Sequence, residues 1–174
     1  MHVSSAELVD AFGRIREVVH EVVGGLTPGQ LAFRLDSQAN SIAWLVWHLT
    51  RVQDDHVADV AQAEQTWTAD GWAERFALPF DVSATGYGHG TDDVAAVQVG
   101  SGALLTGYHD AVHDRTVDYV AGLTDSDFAR IIDESWDPPV SLGVRLVSVI
   151  SDGLQHAGQA AFIRGVAERR AASL

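Results

Sequence analysis

Apolar residues recur at helical spacing in four long stretches of this chain. In the first, Leu8, Phe12, Ile15, Val19 and Val22 fall three or four residues apart, which places them on one face of an α-helix. Ser4 or Ser5 can cap that stretch and Gly24-Gly25 can stop it, so the pattern predicts a helix from about Ser5 to Val23. The second stretch opens at Asn40 or Ser41, both good caps. It carries Ile42, Leu45, Val46, Leu49 and Val52, and is expected to continue to about Gln65. The third runs from about Ser101 to Ala121, with Leu104, Leu105, Tyr108, Val112, Tyr119 and Val120 facing inward and Gly122 at its end. The fourth runs from about Leu142 to Arg169 on a stripe of Leu146, Val149, Ile150, Leu154, Ala157, Ala161 and Val166. Small residues on it (Gly153, Ala157, Gly158, Ala160, Ala161) permit close helix contact.

The connections differ from one another. Thr27-Pro28 starts a short helical turn, as does Thr124-Asp125-Ser126-Asp127, and Trp136-Asp137-Pro138-Pro139 forbids helix. Residues 66–100 alternate aromatics (Trp67, Trp72, Phe76, Phe80, Tyr87) with Gly, Asp and Thr. That is long for a connection, and its aromatic content argues for a folded crossover lying over one end of the bundle. Thr91-Asp92-Asp93 can cap a short helix within it, and Gly86-Tyr87-Gly88-His89-Gly90 reads as a flexible loop near the bundle mouth. Strand signals are weak throughout. The expected fold is all-α: a four-helix bundle with a long crossover between the second and third helices, forming one domain over residues 1–174.

Composition narrows the chemistry. With 174 residues, 47% hydrophobic and 20% charged, the chain is globular in character. It has no cysteine, so disulfides, thiolate metal ligands and a cysteine nucleophile are excluded, and any thiol in its chemistry comes from elsewhere. Eleven basic residues stand against 24 acidic ones, a formal charge of −13. Such a surface repels phosphates and anionic lipid, so neither nucleic acid nor membrane is an expected partner. The start MHVSSAELVD lacks a basic, apolar leader, and no apolar run approaches the ~20 residues of a membrane helix. A cytoplasmic location is the resulting expectation.

Candidate chemistry gathers on the last helix. Asp152 and His156 are four apart and can point at one spot, where a carboxylate and an imidazole chelate a divalent metal. His48, at the edge of the second helix's stripe, is a third candidate ligand if the two helices pack together. Three protein ligands leave a position open, as in catalytic zinc sites. The plain alternatives are a hydrogen-bonded structural His48, and an Asp152 paired only with His156 or Arg145. His109 and His113 are a rival pair at the same spacing, but Asp110, Asp114 and Arg115 surround them, which suggests a solvated face. In Asp54-Asp55-His56, Asp55 lies seven residues after His48 and can partner or rim the site, whereas Asp54 is expected to face solvent. Gln159 can orient a ligand, and Tyr87 and Tyr108 can line a substrate cavity. His2, His20 and His89 give no signal by spacing. No nucleophile elbow or phosphate loop is present, and the glycine cluster lacks the flanking strand and helix of a dinucleotide fingerprint.

Two segments carry a family resemblance. Asn40-Ser41-Ile42-Ala43-Trp44-Leu45-Val46-Trp47-His48-Leu49 resembles the second-helix signature of the DinB-like superfamily, and Gln155-His156-Ala157-Gly158-Gln159-Ala160-Ala161-Phe162-Ile163-Arg164-Gly165 resembles its last-helix signature. The chain is similar in particular to the actinobacterial branch containing mycothiol-dependent maleylpyruvate isomerase. The resemblance implies an up-down-down-up bundle and a divalent metal, zinc first, with nickel or manganese as alternatives. It places the ligands at His48, Asp152 and His156. Many members have His at the first paired position and the isomerase type has Glu; this chain has the shorter Asp. The implied activity is S-transfer, or isomerisation, with a low-molecular-weight thiol such as mycothiol acting on a small electrophilic substrate. Two alternatives are a metal-dependent hydrolase at the same site and a non-enzymatic, metal-free bundle that binds a small ligand. A homodimer through the apolar first and last helices is a further expectation.

Overall fold

The structure is a computed structural model and describes residues 4–171; His2 lies outside them. The chain runs α1 (Ser5–Val23), α2 (Pro28–Leu31), α3 (Ile42–Ala61), α4 (Thr66–Ala69), α5 (Trp72–Phe76), α6 (Thr91–Ala96), α7 (Gly102–Ala121), α8 (Asp125–Phe128), β1 (Ile131–Asp133), β2 (Val140–Ser141) and α9 (Leu142–Ala171). Helices α1, α3, α7 and α9 are the four long apolar stretches. Their starts follow local capping chemistry. Ser4 and Glu7 form a reciprocal capping box on α1, and Ser41 Oγ accepts from the Trp44 amide on α3.

Pairings along the four helices give their directions. Gly102 lies against Val23, and Arg16 reaches Asp110, so α7 runs antiparallel to α1. Thr50 meets His109 and Gln53 meets Thr116, so α3 and α7 run parallel. Trp44 lies beside His156 and His56 beside Arg145, so α9 runs antiparallel to α3. The order of directions is therefore up, down, down, up.

Helix α3 is the centre of the core. Its residues from Ile42 to Asp54 are buried on every face, polar ones included, because α7, α9 and the crossover each cover one side. It is also shorter than its sequence pattern suggests, ending at Ala61 where Gln62 turns left-handed. The chain then reverses into α4, whose Thr66 and Trp67 amides both donate to the Asp54 carboxylate at 2.8 Å. Asp54 is thus a buried helix cap and not a solvent-facing residue.

Helix α9 buries a different stripe from the one its large apolar residues suggest. Leu142, Leu146, Val149, Ala157, Ala160, Ile163 and Ala167 face inward, while Leu154 and Phe162 are exposed. The inward position between Val149 and Ala157 is taken by Gly153, where an added Cβ would lie 3.0 Å from Ile15 Cδ1. Close approach of α1 selects glycine there and turns Leu154 outward. The Pro138-Pro139 segment is bracketed by β1 and β2, a short antiparallel pair with Ile131 opposite Ser141. Among the described residues, no helix is long and apolar enough to cross a membrane.

Candidate metal centre

His48 projects from α3 toward α9 and is buried. Its Nδ1 lies 2.6 Å from the Thr85 carbonyl oxygen. A carbonyl can only accept, so Nδ1 carries the hydrogen and Nε2 keeps a free lone pair. The Trp44 indole stacks on the ring at 4.5 Å. Gly86 closes over the same nitrogen with φ +101, and a Cβ there would fall 2.5 Å from His48 Nδ1. Only glycine fits both that backbone conformation and that space.

Helix α9 supplies the opposing side. One turn apart, Asp152 Oδ1 and His156 Nε2 are 3.5 Å from each other. His156 Nδ1 contacts Gln159 Oε1 at 3.3 Å. The His48 and His156 rings meet edge-on at 4.8 Å. One ligand atom from each of His48, Asp152 and His156 lies within 4.8 Å of the others.

Three features test whether these residues fit a divalent cation. Asp152 Oδ2 is buried without a hydrogen-bond partner, an arrangement that is costly for a carboxylate oxygen. Both imidazoles are held through Nδ1, which leaves Nε2 for the centre, as histidine ligands usually are. Two imidazoles and a carboxylate are a donor set that suits zinc and its neighbours. Electrostatics separate the two rings. Burial pushes the His48 imidazole below its ordinary value, so it is neutral at pH 7. The His156 imidazole is raised instead, by its own hydrogen bond to Asp152 and by that carboxylate's charge. The residues fit the group.

The remaining candidates take varied places. Tyr87 stands edge-on to His48 at 5.3 Å with most of its side chain exposed, at the rim. Gln159 lies beside His156 through the 3.3 Å contact above. Asp55 Oδ1 accepts from Gln65 Nε2 at 2.8 Å and is outside the three-residue group. Tyr108 does not line an open cavity: it is fully buried against Trp67, Trp72 and Phe76, and its hydroxyl donates to Asp54 at 2.8 Å. Tyr108 lies on the inward stripe of α7, which faces the aromatic crossover.

Two other expectations change. His109 is fully buried, not solvated, with Nδ1 3.1 Å from Thr50 Oγ1. Of the acidic neighbours that suggested solvent, Asp110 is bound by Arg16 and His20 on α1 and Asp114 stays exposed. The glycine-rich loop is packed as well as turned. His89 stacks on Trp47 at 5.7 Å and accepts from the Trp44 indole at 3.2 Å. Thr85, Gly86 and Trp44 were not singled out by spacing, although the glycines flanking Tyr87 and His89 mark the segment that closes on His48.

The sequence pattern of the mycothiol-S-transferase family matches residues 7–168. The crystal structure of a conserved protein from Enterococcus faecalis is similar, with a TM-score of 0.87 and 29% identity over 94% of this chain and 96% of that one. No functionally curated protein matches. With nearly the whole chain covered, this protein belongs to the mycothiol-S-transferase family.

Proposed function

We propose that the protein is a divalent-metal-dependent S-transferase. On this reading His48, Asp152 and His156 hold the ion, zinc in the first instance and nickel or manganese otherwise. The cosubstrate is a low-molecular-weight thiol such as mycothiol, and the acceptor is a small electrophile. The observation that carries this reading is the convergence of three donors from α3 and α9 within 4.8 Å of one another. Family membership supports the thiol half of it.

A bound divalent cation supplies positive charge that lowers the pKa of a thiol at an open position and so stabilises the thiolate nucleophile. The chain's own residues do the rest. Thr85 O fixes the His48 ring and its tautomer, and Gln159 does the same for His156. Asp152 balances part of the positive charge with one carboxylate. Trp44 and Tyr87 shield the His48 side from water while leaving the rim open. The absence of cysteine fits a reaction whose only thiol is the cosubstrate.

The test joins metal content to thiol dependence. Untreated protein is expected to contain about one equivalent of metal and the Asp152→Ala variant much less. Conjugation of mycothiol with a model electrophile such as monobromobimane is expected to run faster than the uncatalysed reaction only when protein and ion are both present. Substrate hydrolysis that ignores thiol would instead indicate a metal hydrolase. A protein with no metal, and a melting temperature indifferent to chelator, would overturn the reading in favour of a metal-free bundle.

A further inference from the structure

A second set of buried polar groups lies one helical turn beyond His48, and the proposed chemistry leaves it unused. Arg51 is fully buried in α3. Its Nε donates to the Ala84 carbonyl at 3.1 Å and its Nη1 to Gln65 Oε1 at 2.8 Å. Its guanidinium lies over the Trp67 ring at 4.9 Å and 3.6 Å from Asp54 Oδ2. A buried cation is expensive, and a well-packed apolar residue often serves stability better. Its retention here therefore calls for a use, and the position of its hydrogen bonds suggests one.

Arg51 grips the crossover at both ends of a long excursion, at Gln65 and at Ala84. Ala84 is followed by Thr85, whose carbonyl holds His48 Nδ1, and then by Gly86, which closes on the same nitrogen. Residues 84–86 lie outside any helix or strand, so no ladder of backbone hydrogen bonds fixes their position. The side chain that anchors this segment comes from the same helix as the imidazole it constrains. His48 and Arg51 are three apart and share a face, so a single rigid helix sets both ends of the arrangement.

We propose that Arg51 is a positioning residue for His48: through Ala84 it holds the Thr85 carbonyl and Gly86 against the His48 imidazole, and thereby aims Nε2 at the centre shared with Asp152 and His156. This rests on the reading of His48 as a metal ligand for its consequence, but not for its geometry. Lysine at this position keeps the charge beside Asp54, yet it cannot form the fork that reaches Ala84 and Gln65 together. Gly86→Ala perturbs the same contact from the loop side and leaves Arg51 intact.

The experiment uses the full chain and two measurements. The first follows the His48 Nδ1–H signal by ¹⁵N-resolved NMR of metal-free protein. The second measures zinc affinity by competition with a chromophoric chelator. Arg51→Lys is expected to stay helical by circular dichroism, to lose or shift the His48 Nδ1–H signal, and to bind zinc 10–100-fold more weakly. Gly86→Ala is expected to do the same. A folded Arg51→Lys with an unchanged His48 signal and parental zinc affinity would overturn the proposal. Should Arg51→Lys not fold, Arg51→Met, an apolar replacement of similar length, decides on the same two readouts: an unchanged His48 signal with parental zinc affinity overturns the proposal, and loss of both supports it. Parent protein that binds no zinc would defeat the metal reading alone, since the His48 signal in metal-free protein still reports on the clamp.

Discussion

Helices α7 and α9 both pack on α3, and each carries a pair of titratable side chains one turn apart. On α9 the pair is Asp152 and His156; on α7 it is His109 and His113. By spacing alone the α7 pair is the equal of the other. The difference lies in what α3 presents to each. Toward α9 it offers His48, a third donor, and the three ligand atoms converge. Toward α7 it offers Thr50, whose hydroxyl donates to the Val46 carbonyl at 2.7 Å and accepts from His109. Among the described residues no carboxylate hydrogen-bonds to His109, whose ring is sealed in the core with Nε2 unpartnered. Spacing nominates a pair, and the facing helix decides whether it joins a third donor type in a cluster or packs into the core.

The two pairs should respond to acid in opposite senses, and the larger effect belongs to His109. Burial pushes its imidazole down to about 3, against an ordinary value of 6.5. As pH falls below 6.5 the unfolded chain takes up the proton and the folded one does not. Stability present above that point is therefore lost toward pH 3, at about 1.4 kcal/mol per unit and several kcal/mol in all. Urea denaturation of metal-free parent and His109→Gln at pH 7 and pH 4 measures this. The gap between the two proteins should change by several kcal/mol across that range. A constant gap would mean that His109 is not sealed from water.

Ligand removal should divide the pairs next. If the proposed centre binds zinc, the ion at a hundred times its dissociation constant should stabilise the parent by about 2.7 kcal/mol. For a chain of this size that is roughly 5–10 °C in melting temperature, and chelator should abolish it. The His156→Ala variant should melt at one temperature with or without chelator, whereas His113→Ala should keep the full response. Identical behaviour of the two variants would break the comparison.

The smallest effect concerns the Asp152–His156 contact itself. Asp152 raises the His156 imidazole, so in metal-free protein this contact stabilises the fold at pH below the ordinary value of 6.5. That contribution is lost as pH rises through the raised folded value. An NMR titration of metal-free Asp152→Asn should show His156 titrating at lower pH than in the parent. Titration at the same pH in both would place the carboxylate too far from the ring to matter.

Much of the architecture is legible in the chain. The stripe Leu8-Phe12-Ile15-Val19-Val22 and the Ser4 cap give α1 to the residue, because helix periodicity and capping are local properties. Legibility failed where a residue's environment depends on distant segments. Asp54 and Tyr108 look like a surface acid and a pocket aromatic until the crossover folds back and brings the α4 amides to Asp54. Leu154 looks like core until α1 approaches closely enough to require Gly153. Arg51 has one local partner in Asp54, three residues on, but its hydrogen bonds to Gln65 and Ala84 exist only through the path of the crossover.

The sequence by itself determined four amphipathic helices, an acidic surface, the absence of any protein thiol, and two helix motifs bearing His48, Asp152 and His156. These are matters of composition and short-range period. The tertiary structure alone decided that the three side chains share one centre while His109 and His113 do not, and that Thr85 and Gly86 cover His48. Those outcomes depend on which face of α3 meets which neighbour, and a helical period fixes the faces of one helix without fixing what lies opposite them.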